Sequence, residues 1–205
     1  MPTTLQIIRL VVNDAYKADP TLFDKLREGA AKTGVLHQRY GFEVENPDQL
    51  LWMLQTIDFN QGVEPKDTVW PAAEYGDFSE ALARITLDEQ KVYLPFEDLP
   101  REIVVAPVTS ISIFILKEGV KVEEFAKLLD PFRANFISKV PGHHASAWSV
   151  DSTNDRKIFL FAGWDSVEAH TQLSATPEVA KHRSAASALL DDAQPPKSLH
   201  VKFNS

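Results

Sequence analysis

The strongest constraint in this sequence of 205 residues is that it runs through the same order of elements twice. The first half opens on LQIIRLVV, a run rich in β-branched residues that predicts a strand. Asp19 and Pro20 then place an N-cap and a first-turn proline. The segment that follows carries Leu22, Phe23, Leu26 and Ala30 at helical spacing and stops at Gly34. VLHQRYGFEV and LLWMLQTI flank the turn ENPD and predict a hairpin. Asp77 and Glu80 are spaced as a capping box before a helix that runs to Ile85, and KVYLPF closes the half as a strand. The order is β-α-β-β-α-β.

The second half repeats it. The strand SISIFIL precedes a helix whose Val122, Phe125, Leu128, Leu129, Phe132, Phe136 and Val140 form one apolar stripe, expected to be core. HASAWSV and KIFLFAGW form a hairpin around DSTNDR. Asp165 and Glu168 have capping-box spacing, a helix follows Thr176-Pro177-Glu178, and SLHVKF closes the half. Sliding the halves by 107 residues brings His37 onto His144, Asp58 onto Asp165 and KVYLPF onto SLHVKF. The first strands need 104 and the first helices 102. Extra residues sit around Glu64 to Pro71. The linker EDLPREIVVAP, punctuated by Pro100 and Pro107, places the halves at 1–100 and 101–205. The period exceeds that of solenoid repeats.

The strands are apolar on both faces. In KIFLFAGW, Ile158, Leu160 and Trp164 alternate with Phe159 and Phe161. A sheet with helices on one side must bury its other face if that face is apolar. The expected fold is therefore α+β: two tandem ferredoxin-like β-α-β-β-α-β units packed sheet to sheet as an intramolecular dimeric α+β barrel.

With that element order, the segment FAGWDSVEAHTQLSATPEV resembles the dimeric α+β barrel superfamily, which includes antibiotic-biosynthesis-monooxygenase domains and stress-responsive A/B barrel proteins. The first-half counterpart, TIDFNQGVEP, has lost most of the motif. The resemblance implies a pocket between sheet and helices in each half. It also implies one of several activities: cofactor-independent monooxygenation, polyketide cyclisation, isomerisation, carbon–carbon lysis, haem degradation, or none. The histidines and tyrosine of the plant polyketide cyclase branch would fall at Val179, Ile158 and Leu173, so that mechanism does not transfer. Of the haem-degrading branch only His182 falls near a required position, so haem is not expected.

Composition narrows the classes further. The formal charge is −8 and the pI about 5.2, with no basic run, which argues against nucleic acid and anionic membranes as partners. The absence of cysteine removes disulfides, thiolate catalysis and cysteine-ligated metals, and it suits the cytoplasm. The opening MPTTLQIIRLVV has neither a basic start nor a small-residue cleavage site, so no signal peptide is expected. No nucleotide loop, nucleophile elbow or metal-ligand spacing occurs, and no cofactor or metal is expected.

Histidine is the natural acid/base near neutral pH. The candidate catalytic residues are His170 and His182 on the second-half helices, and His144 and His37, which the repeat places at matched strand positions. His143 is expected to be exposed. His200, matched with Tyr93, is expected to be buried and hydrogen-bonded rather than reactive. Trp148, Trp164, Trp52, Tyr40, Tyr75 and Phe161 could clasp a flat ligand, each with core packing as its ordinary role. Four of the six histidines fall between His143 and His182, so the second half is expected to carry the working pocket. The expected function is a cofactor-independent cyclase, isomerase or lyase that uses histidine acid/base chemistry on an apolar, aromatic or polyketide-type molecule. The alternatives are a monooxygenase of phenolic substrates and a non-catalytic ligand-binding or stress-associated barrel. A small apolar or aromatic ligand is the expected partner, and a homodimer is one assembly open to the chain.

Overall fold

The structure is a computed structural model that describes residues 3–35, 37–56 and 70–204. Its contacts divide the chain into two compact units between Asp98 and Leu99, with Asn204 joining the first. The first unit runs β1 (Thr3–Val12), α1 (Asp14–Ala18), α2 (Thr21–Lys32), β2 (His37–Phe42), β3 (Gln49–Thr56), α3 (Ala72–Tyr75), α4 (Phe78–Ile85) and β4 (Thr86–Phe96). The second runs α5 (Arg101–Val105), β5 (Val108–Ile115), α6 (Val122–Asn135), β6 (His143–Asp151), β7 (Asn154–Trp164), α7 (Val167–Ser174), α8 (Pro177–Ser187) and β8 (Lys197–Val201).

Each unit has one four-stranded antiparallel sheet, ordered β2-β3-β1-β4 in the first and β6-β7-β5-β8 in the second. This is the ferredoxin-like order, so both units are the α+β folds that the repeat predicts. In the first unit the helix-facing side of the sheet presents Ile8, Leu10, Leu50, Trp52 and Leu54 to Phe23 and Leu26 of α2 and to Phe78, Leu82 and Ile85 of α4. The opposite side is buried too: Leu5, Ile7, Leu51 and Met53 are almost fully covered. That accounts for strands that read as apolar on both alternations.

Several local expectations are corrected. Asp19 does not cap α2. Pro20 stands at the cap position, while Asp19 Oδ1 accepts from the Thr21 N–H just inside the helix. The cap of α7 is Ser166, whose hydroxyl accepts from the Ala169 N–H, and not Asp165. Asp77 does cap α4, accepting from Glu80 N–H at 2.9 Å. The helix α6 stops at Asn135, and a short 3-10 turn from Ile137 to Lys139 ends the stripe before Val140. The linker is not featureless: it contains α5, which lies so close to β7 that a Cβ on Gly163 would meet the Glu102 carbonyl at 2.8 Å. A glycine is required there by close approach, not by backbone angle. Asp58, most of TIDFNQGVEP and the extra residues from Glu64 up to Trp70 lie outside the described residues.

Sheet register also revises the repeat. Tyr40 opposes Trp52, and Trp148 opposes Leu160, so β2 and β6 correspond at an offset of 108, not 107. The counterpart of His37 falls within the irregular stretch between His143 and Ser146, which holds both His144 and Ala145. That irregularity adds a residue to β6, which an ungapped comparison cannot see. The closing strands keep 107: Tyr93 pairs with Gln6 where His200 pairs with Ser110.

Candidate functional site

In the second unit a cavity of about 680 Å³ lies between the sheet and helices α6, α7 and α8. Ser112, Leu160 and Ser198 border it from the sheet, Phe125, Leu129 and Phe132 from α6, and His170 and Leu173 from α7. The cavity persists because α8 brings little bulk inward. Its lining residues include Val179, His182 and Ala186, at helical spacing but small or polar. A helix with leucines or phenylalanines there would close the space.

Two histidines reach this cavity. His182 is half-buried, and its ring stacks on Phe132 with centroids 4.0 Å apart and planes 6° from parallel. Burial in these apolar surroundings lowers its pKa from the usual histidine value, so it is a neutral base at pH 7. His170 Nδ1 lies 2.7 Å from His200 Nε2, and the His170 ring sits 5.1 Å from Trp164. His200 is buried on the helix-facing side of β8, so the expected hydrogen-bonded role holds, with His170 as its partner. In a neutral pair one imidazole donates and the other accepts. Beside them Ser112 and Ser198 share a 2.8 Å hydrogen bond across β5 and β8.

The other candidates fall elsewhere. His144 is exposed on β6, with Nε2 2.7 Å from Asp165 Oδ1, and His37 is exposed at the start of β2. Neither lines the cavity. His143, expected at the surface, is half-buried edge-on to Trp164 at 5.1 Å, its Nε2 buried with no hydrogen-bond partner among the described residues. Desolvation lowers its pKa, and His144 and Arg133 add to the effect. Trp164 is core, 1% exposed, and donates to Ser110 Oγ at 2.9 Å. Trp148 donates to Asp130 on α6 at 2.7 Å. Phe161 lies on the sheet face away from the cavity, since it pairs with Ile111, next in line to the lining pair Ser112 and Leu160. Trp52, Tyr40 and Tyr75 belong to the first unit. Trp52 is fully buried and donates to Gln38, Tyr40 lies under the Arg27 guanidinium, and Tyr75 meets the edge of Trp70.

Phe132 turns from expected core to half-buried cavity wall. Ser112, Ser198 and Arg183 were not anticipated. Their signal was present in the alternation Ser110, Ser112 and in Ser198, His200, which puts polar groups on the helix-facing side of two strands. Among the described residues no three histidines or carboxylates converge as metal ligands, and no helix is long and apolar enough to cross a membrane.

The fold is thus α+β, with two tandem ferredoxin-like units, the second of which holds a cavity between its sheet and its helices. Residues 115–185, which span α6, α7 and most of α8, match the family model Antibiotic biosynthesis monooxygenase. The whole chain is similar in fold to a monooxygenase-like protein of Fusobacterium nucleatum at 11% identity, TM-score 0.67, covering 99% of this chain and 93% of that one. A monooxygenase-like protein of Lactobacillus acidophilus gives 10% identity and TM-score 0.64, with 100% and 95% covered. An anthrone oxidase-like protein gives 12% and 0.61, with 100% and 91% covered. No curated protein matches the sequence.

Proposed function

We propose that the second unit is a cofactor-independent enzyme that receives an apolar, aromatic or polyketide-type molecule and moves a proton with histidine. The observation that carries this is His182: a neutral imidazole on the wall of an apolar cavity large enough for a fused-ring molecule. Phe132, stacked on that imidazole, fixes its plane. His182 takes a proton from an acidic C–H or O–H of the ligand. His170, polarised by His200, is the second acid/base and returns a proton at another position. The resulting anion, held away from water, can cyclise, isomerise or undergo carbon–carbon cleavage.

Oxygenation is the second reading, and the family match over the cavity-bearing segment favours it. The deprotonated ligand would be oxidised by dioxygen: a methylene becomes a carbonyl, one oxygen atom enters the product, and the other leaves as water. Anthrone is the natural probe. Incubation with anthrone and with related phenols, in air and under nitrogen, separates the readings. Product formation only in air, with one dioxygen consumed per ketone, identifies a monooxygenase. Product formation in both atmospheres identifies proton-transfer chemistry. Tight binding without turnover, or turnover unchanged in the His182→Ala protein, would sink the catalytic reading and leave a ligand-binding protein.

A further inference from the structure

We propose that the Ser112–Ser198 hydroxyl pair is the recognition element for a hydrogen-bond-accepting oxygen, a ketone or phenolic oxygen, on the ligand. The inference rests on the proposed reading that this cavity takes a flat apolar molecule. Both serines border the cavity, on adjacent strands, with hydroxyl oxygens 2.8 Å apart. Two hydroxyls carry two protons, and only one spans the pair. No other partner for either hydroxyl occurs among the described residues, so one O–H remains to serve the cavity. Ser112 is 8% exposed whereas Ser198 is exposed, so with Ser112 donating across the pair the remaining O–H is that of Ser198, on the cavity wall. A ligand oxygen, or a water when the ligand is absent, accepts from it.

The first unit shows that the sheet does not require serines here. The residues at the same register are Ile8 and Lys91. The pair also lies beside the polar step of His200 and His170, since His200 is two residues from Ser198 on the same face of β8. A ligand oxygen seated on the serines therefore brings its neighbouring atoms to the histidines, which makes the serines positioning residues rather than catalytic ones.

Fluorene and 9-fluorenone test this, because they share one skeleton and differ in a single ketone oxygen. The ratio of their dissociation constants is measured by equilibrium dialysis for the native protein and for the Ser112→Ala/Ser198→Ala double variant. The expected result is a roughly fivefold to tenfold loss of fluorenone preference, with fluorene affinity within about twofold. An unchanged ratio overturns the proposal and leaves the cavity reading intact. Native protein that binds neither compound overturns both. A second measurement needs no variant: the infrared carbonyl stretch of bound fluorenone. A shift to the lower frequency found in alcohols supports the hydroxyl contact, and the frequency found in hydrocarbon solvent overturns it.

Discussion

At matched positions of the two sheets, Trp52 stands in the first unit where Leu160 stands in the second, and Ile8 where Ser112 stands. The helices differ in the same sense. The inner face of α4 carries Phe78, Leu82 and Ile85, all buried, whereas that of α8 carries Val179, His182 and Ala186. Phe23 meets Trp52 at 5.1 Å and Tyr40 at 5.4 Å, so the described first-unit core is aromatic and closed. Trp70 adds to it by packing 5.0 Å from Phe78 and close against α2, where a Cβ on Gly29 would overlap its ring. In the second unit Phe125 meets Phe114 at 5.2 Å, and space remains beyond it. Among the described residues one topology thus carries a filled aromatic core in the first unit and a cavity in the second, and the contrast follows side-chain volume at about five positions. Interiors pack to near-crystalline density by default, so a space of this size is a feature that the sequence must maintain.

The largest expected effect breaks the comparison at the chemistry. With a substrate in hand, His182→Ala or His170→Ala should lower turnover by about 10²–10⁴-fold, with melting little changed. His37→Ala in the first unit should leave turnover within about twofold. Equal losses from His37 and His144 variants, with none from the other two, would move the site out of the cavity.

Stability should split the units in the opposite direction. Trp52→Ala empties a fully buried site and should cost about 3–5 kcal/mol in urea denaturation. Leu160→Ala, beside a space that already exists, should cost nearer 2 kcal/mol, mostly the lost transfer energy of the side chain. Equal costs would mean that the second unit is as tightly packed as the first. Phe132→Ala belongs with Leu160: its half-buried ring should be worth about 1–2 kcal/mol, and its larger effect should be on ligand affinity.

The element order, both hairpins and the ferredoxin-like class were legible because period-2 and period-3.6 patterns depend on local spacing. The helix α5 was not, since REIVV between two prolines is too short to show a period. The match of His37 with His144 falls on an irregular stretch of β6 that leaves no trace in an ungapped comparison. The cavity left a trace that ordinary pattern reading discards. A helix whose inward positions are Val179, His182 and Ala186 reads as a weak amphipath, and weakness is what an open wall looks like in sequence. The pairing of His170 with His200 joins α7 to β8 and had no local signal.

The smallest expected effect is a pH dependence that belongs to the second unit. His182 and His143 both titrate below the ordinary histidine value of 6.5, in each case chiefly because burial disfavours the charged form. In the unfolded chain they titrate near 6.5. Between the lowered folded pKa and 6.5 the unfolded state therefore binds more protons, so stability rises with pH across that window and is lost as pH falls through it. Above 6.5 their contribution is flat. Glu168 and Asp191, also lowered, act from 4.5 and 3.8 downward and fall outside this window. Urea midpoints taken from pH 7.5 down to pH 5 should decline, and His182→Phe, which keeps a ring against Phe132, should make the decline shallower. A His182→Phe protein with an unchanged slope would mean that His182 is solvated like an ordinary surface histidine, and the neutral base at the cavity wall would lose its physical basis.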